Sequence, residues 1–143
     1  MNPNRATPRD LPEILSLLRK YNLSVQGVSE HLKNFLVLKA EGKMLGCIGL
    51  EIYRCNGLLR SLAVIAEEQG RGHGRLLVHE VLNLAKKKNL RNVYLRTIDG
   101  KDYFRRFNFQ VIERDKVDSE IQKSLAFNSQ CCYSAICMFK TIN

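Results

Sequence analysis

Two hydrophobic periods divide the 143-residue chain. Leu11, Ile14, Leu15 and Leu18 recur at helical spacing and define one buried face. Thr7-Pro8-Arg9-Asp10 reads as the start of that helix: Thr7 caps, Pro8 suits the first helical position, and Asp10 completes a capping-box pattern. Asn2 to Ala6 predicts a short first strand, Tyr21 to Val28 a loop around Gly27, and Ser29 the cap of a short helix through Asn34. The period then changes. Phe35 to Lys39 and Met44 to Tyr53 predict strands joined by the turn Glu41-Gly42-Lys43. Cys55-Asn56-Gly57 carries the Asn-Gly hairpin signal, with Leu58 to Val64 as partner strand.

The helical period returns over Leu76 to Lys88, where Leu77, Val81 and Leu84, with Val78 and Ala85 beside them, form an apolar face. Asn89 to Asn92 is a turn and Val93 to Thr97 a strand. Strand, helix, strand in this order predicts a right-handed crossover between parallel neighbours. Asp99 to Phe107 predicts a short helix, Phe109 to Ile112 a strand, Asp118 to Phe127 a further helix and Ser134 to Lys140 a last strand. The expectation is one α/β domain over residues 1–143, an antiparallel meander followed by a β-α-β crossover on a mixed sheet.

Composition narrows the partners. The charged residues are 23 Lys+Arg and 14 Asp+Glu, a formal net charge of +9, which favours an anionic ligand. The surplus is spread along the chain, and its longest basic run, Lys86-Lys87-Lys88, ends a helix, where cations suit the dipole. No interleaved aromatic-basic stripe marks a nucleic-acid reader. No apolar run reaches the roughly 20 residues of a membrane helix, and the polar start, Met1 to Asp10, is unlike a signal peptide, so a cytoplasmic protein is expected. Five cysteines without CxxC spacing suggest neither a disulfide framework nor a zinc site. Cys47 and Cys137 sit in apolar strands as small core residues, and Cys131-Cys132 lacks a third metal ligand nearby.

The chemistry gathers at Gln69-Gly70-Arg71-Gly72-His73-Gly74-Arg75, between a strand and a helix. Glycine lets the backbone come close to a ligand, and a helix start offers free N–H groups and a positive dipole end, a combination suited to a phosphate. No Lys-Ser or Lys-Thr follows Gly74, which excludes a Walker loop. The alternating glycines fit a dinucleotide fingerprint poorly, although Asp99 stands where a ribose-binding acid would be.

The pattern Gln69-x-x-Gly72-x-Gly74 at a strand-to-helix turn, with the aromatic segment Asp102 to Phe109, resembles the GCN5-related N-acetyltransferase superfamily over nearly the whole chain. Gly46 to Tyr53, Leu58 to Val64 and the tail from Val117 to Met138 resemble, within it, the arsenic-resistance-type N-acetyltransferases and the acetyltransferase domain of N-acetylglutamate synthases. The resemblance implies acetyl transfer from acetyl-CoA to the amine of a small, amino-acid-like acceptor, no metal, and a homodimer through the terminal strands. It places the pyrophosphate on the N–H groups from Gly70 to Arg75, with Arg71 and Arg75 adding charge, and the pantetheine along Leu62, Ala63 and Val64. His73 is a helix-start side chain rather than an acid or base.

An ammonium must lose a proton before it attacks, and Glu51, a lone carboxylate in an apolar strand, is the candidate base. Its other reading is an anchor for the substrate ammonium or a solvent-facing residue. Arg60 is the candidate clamp for an acceptor carboxylate, or a surface partner of Glu51, and Ser61 lies near the acceptor. Many members carry a tyrosine four residues before a terminal Gly-Phe as acid for the leaving thiolate. Here Phe104 fills that position, Asn108 replaces the glycine, and Tyr103 is one residue away. Two other readings compete: a catalytically idle acyl-CoA-binding module, and a basic nucleic-acid-binding domain.

Overall fold

The computed structural model describes residues 2–128 and 135–142. Among the described residues seven strands form one sheet in the order β1-β2-β3-β4-β5-β7-β6. They are β1 (Asn4–Arg5), β2 (Phe35–Ala40), β3 (Lys43–Tyr53), β4 (Asn56–Val64), β5 (Asn92–Thr97), β6 (Gln110–Ile112) and β7 (Ile136–Thr141). The β4–β5 pair is parallel and every other pair antiparallel. This is the mixed α/β sheet expected, with the crossover made by α2 (His73–Lys87).

Two layers cover the sheet. Leu77, Val78, Val81, Leu84 and Ala85 of α2 pack on one face with Phe104 of α3 (Lys101–Arg105), against Ile48, Leu50, Leu59, Val93 and Leu95. Each fully buried Leu or Val here contributes roughly 1.5–3 kcal/mol. On the other face, Ile14, Leu17 and Leu18 of α1 (Leu11–Lys20) pack on Phe35, Val37, Leu45, Cys47 and Ala63. Beside them, Ile121 of α4 (Ser119–Gln122) and Phe127 of α5 (Leu125–Asn128) pack on Leu58, Tyr94 and Cys137. Gly49 is required by close approach, since a Cβ there would lie 2.4 Å from the Phe35 ring. No described helix is long and apolar enough to cross a membrane.

Several boundaries differ from the sequence expectation. The first strand shrinks to Asn4–Arg5. Asp10 accepts the Thr7 N–H at 2.8 Å as expected and also pairs with Lys39. Ser29 caps nothing; its hydroxyl donates to Glu30, and only one 3-10 turn, Leu32–Asn34, follows. Tyr53 pairs with Asn56, so the β3–β4 turn is Arg54-Cys55, with Arg54 left-handed at φ 57°, and the Asn-Gly pair lies inside the strand. The helix after the glycine loop begins three residues early, at His73 rather than Leu76. The helix expected over Asp118 to Phe127 breaks into α4 and α5 at Lys123-Ser124. The β7 strand starts at Ile136, and the Cys131-Cys132 pair lies outside the described residues.

Candidate active site

The site begins where the sheet comes apart. β4 and β5 pair only through Asn56, Gly57 and Leu58 with Asn92, Val93 and Tyr94. Beyond Leu58 that edge of β4 has no neighbouring strand among the described residues. The β3–β4 register slips between Cys47 and Gly49, giving β4 an extra residue, and Ser61 in the bulge adopts φ 64°. A bulge bends its strand and adds twist, which turns β4 away from β5. The Ile65 N–H bonds the Leu45 carbonyl at 2.9 Å, so by strand alternation the backbone groups of Val64 face the open edge. One of them is occupied: Gln69 Nε2 donates to the Val64 carbonyl at 2.9 Å. Gln69 thus ties the loop to the strand it leaves.

Gly70 and Gly72 have φ 81° and 87°, a region an L side chain enters at a cost of roughly 1–2 kcal/mol. A Cβ at either would meet nothing within 4 Å, so the loop is open above its glycines. The first intrahelical bond runs from Leu76 N–H to the Gly72 carbonyl at 3.0 Å. The N–H groups ahead of it have no acceptor within the helix. Glu68, which sequence reasoning missed, pairs with two side chains of the loop. Its Oε1 lies 3.0 Å from His73 Nε2 and 3.7 Å from Arg71 Nη1. Arg75 is exposed on the first turn. The open edge, the N–H groups with no acceptor in the helix and the two arginines fit a ligand with an extended arm and a phosphate end.

Tyr103 reaches the same loop from α3. A Cβ on Gly74 would stand 3.2 Å from its hydroxyl. Its ring packs edge-on against Phe104 and Phe107. Burial holds the hydroxyl pKa above its ordinary value, with Arg106 and Arg75 pulling the other way. Phe104 is buried in the core, and Asn108 takes φ 70°, the left-handed turn that glycine would otherwise supply.

On the opposite face of the sheet a cavity of about 980 Å³ ends at the gap between β4 and β5. Leu58 to Ser61 and Arg96 to Asp99 line it from the two strands. Asn22 to Gln26 wall it on the α1 side and Leu125 to Asn128 on the α5 side.

Arg60 and Ser61 therefore reach this cavity, while Glu51 stands behind Arg60 and does not line it. Glu51 is 1% exposed and Arg60 8%. Glu51 Oε2 accepts from Arg60 Nη1 at 2.7 Å, and Oε1 accepts from Tyr53 at 2.5 Å and Ser124 at 2.7 Å. Arg60 also donates to the carbonyls of Gln26 and, at 3.0 Å, Ser24, and through Nε to Ser61 Oγ at 2.8 Å. Burial and the Glu51 carboxylate push the Tyr53 hydroxyl up to about 12, so it stays a donor. This cluster fastens three cavity walls together: β4, the loop at 24–26 and the start of α5. The surface pairing considered for Arg60 is replaced by a buried one.

Arg96 was also missed, although a charged residue within the apolar run Val93 to Thr97 was the signal available. Its guanidinium lies 5.5 Å from the centre of the Phe127 ring, and Arg114 lies 4.9 Å from the same ring. Burial, then the Arg114 charge, lowers the Arg96 pKa from its ordinary value, which is high enough to leave it charged at neutral pH. Cys47 supplies no nucleophile, because burial pushes its thiol up to about 12.

The splayed sheet and glycine loop place the molecule in a class, and the comparison of sequences agrees. The acetyltransferase (GNAT) family model matches residues 6–109, and the chain belongs to that family. It is 29% identical over 99 residues to an uncharacterized N-acetyltransferase of Chlorobaculum tepidum, an alignment covering 68% of this chain and 63% of that protein's length. Among solved structures it resembles Rv2747 of Mycobacterium tuberculosis, in complex with CoA and NLQ, at a TM-score of 0.82, 22% identity and 100% of both chains. It also resembles the N-acetylglutamate synthase of Neisseria gonorrhoeae complexed with coenzyme A and N-acetyl-glutamate, at a TM-score of 0.85 and 18% identity, over 99% of this chain and 35% of that one. The donor in this family is acetyl-CoA.

Proposed function

We propose that the chain is an acetyl-CoA-dependent N-acetyltransferase acting on the primary amine of a small, carboxylated acceptor. The observation that carries this reading is the gap between β4 and β5, which opens to the glycine loop on one side and to the acceptor cavity on the other. The N–H groups from Gly70 to Arg75, with Arg71 and Arg75, take the pyrophosphate. The open β4 edge at Leu62 and Val64, next to Ala63, takes the pantetheine as an added strand. The N–C bond forms as the thioester C–S bond breaks, the amine loses a proton and the sulfur gains one. Tyr103, protonated at neutral pH and set beside Gly74, gives the sulfur its proton. Arg96 faces the acceptor carboxylate.

Burial changes the role proposed for Glu51. Its oxygens are taken up by Arg60, Tyr53 and Ser124, so it acts by holding Arg60, Ser61 and the loop at 24–26 in place. The amine's proton leaves through the open mouth of the cavity. Glu51→Gln should then raise the acceptor KM more than it lowers turnover. A loss of about 10²–10⁴-fold in kcat at saturating amine would return the base role to Glu51.

The reading is tested by thiol release from acetyl-CoA across a panel of amines that includes free amino acids. Release with at least one amino acid is expected. CoA binding with no release from any amine would leave an idle acyl-CoA-binding module instead.

A further inference from the structure

We infer that the acceptor carries an apolar side chain, and that Leu23, Ile98 and Leu125 select it; this rests on the acetyltransferase reading above. Among the described residues four large hydrophobic side chains stand exposed: Leu23 at 38%, Ile98 at 63%, Leu125 at 60% and Val111. The first three all line the acceptor cavity, while Val111 lies on the edge strand β6. They arrive from separate elements: the loop after α1, the end of β5 and the first residue of α5. Three elements that each turn an uncovered apolar side chain toward one opening make a binding surface.

The polar groups of the wall exclude a second charge on the acceptor. Arg60 is spent on Glu51, Ser61 and two loop carbonyls. Arg96 answers the acceptor's one carboxylate. Asp99, at the β5 end, would repel another. A side-chain carboxylate set among Leu23, Ile98 and Leu125 would lose water against three apolar side chains. A branched aliphatic or aromatic side chain would instead cover the three residues, and about 980 Å³ leaves room for one. The acceptor class is therefore an α-amino acid with an apolar side chain, in contrast to the glutamate derivative bound by the gonococcal synthase.

The experiment compares kcat/KM for leucine, methionine, phenylalanine, alanine and glutamate, using the full chain and acetyl-CoA. Leucine, methionine or phenylalanine should exceed both alanine and glutamate by about 10- to 100-fold. In Leu125→Asn and Ile98→Asn, which alter exposed positions, the leucine-to-alanine ratio should collapse toward one. Glutamate outperforming all three apolar acceptors, or an unchanged ratio in both variants, overturns the inference. Calorimetric binding of N-acetyl-leucine and N-acetyl-glutamate with CoA present keeps the two readings apart. Tighter binding of N-acetyl-leucine, weakened in the rim variants, upholds the selectivity even where turnover is absent for every amine. Tighter binding of N-acetyl-glutamate sinks it.

Discussion

The two sides of the gap are built from different materials. The proposed donor side is backbone: two exposed left-handed glycines, the half-buried first turn of α2 and a strand edge with no partner strand among the described residues. The proposed acceptor side is side chains: Glu51, Arg60 and Ser124 are buried and bonded across up to 73 residues of sequence. A backbone site needs only the right turn and therefore leaves a local mark in the sequence. A side-chain site needs distant residues to arrive together, and no short stretch records it. The first should answer mutation through conformation and the second through charge.

The largest effect is expected on the acceptor side. Arg60→Ala leaves Glu51 buried without its cation and should cost about 3–5 kcal/mol in urea unfolding. The double change Glu51→Leu with Arg60→Met should cost less than Arg60→Ala alone. A single-variant loss under about 1 kcal/mol would show that the cluster does not brace the fold. Arg96→Gln should come next, raising the acceptor KM by about 10- to 100-fold, the worth of a charged hydrogen bond, with CoA affinity unchanged.

Effects on the donor side should be smaller. Gly72→Ala forces a side chain into φ 87° and should weaken CoA binding by roughly 10-fold in a direct titration, without moving the acceptor KM. If both constants move together, the two sides are not separable. Tyr103→Phe should lower kcat by about 10-fold or less, since a thiolate is a good leaving group. Because burial raises the Tyr103 pKa, the wild-type proton is retained at neutral pH, and the kcat contributed by this group should fall only above about pH 10. A fall through neutral pH that Tyr103→Phe abolishes would contradict the assigned proton donor.

The same contrast explains what was legible beforehand. Alternation of apolar residues and the glycine spacing were enough for the meander, the crossover and the glycine loop at the start of α2. The Asn56-Gly57 pair misled, because Gly57 serves packing: a Cβ there would lie 2.9 Å from both Leu50 and Leu90. The break between α4 and α5 was illegible because the Ser124 hydroxyl is drawn to Glu51, far away in sequence. Glu51 and Arg60 were legible as unusual residues in apolar strands, but their burial against each other was not. Leu23, Ile98 and Leu125 drew no attention because nothing in a sequence distinguishes an uncovered leucine from a core one.

The seam between β4 and β5 is only three residue pairs long. A ligand lying along the open β4 edge would stand where further strand pairing is missing. The protein's resistance to unfolding should then depend on how much of that ligand is present. At 100 times its Kd, CoA should add about 2.7 kcal/mol by mass action. A purification that strips CoA would deliver the molecule in its least heat-resistant form, and restoring CoA before storage should extend its working life.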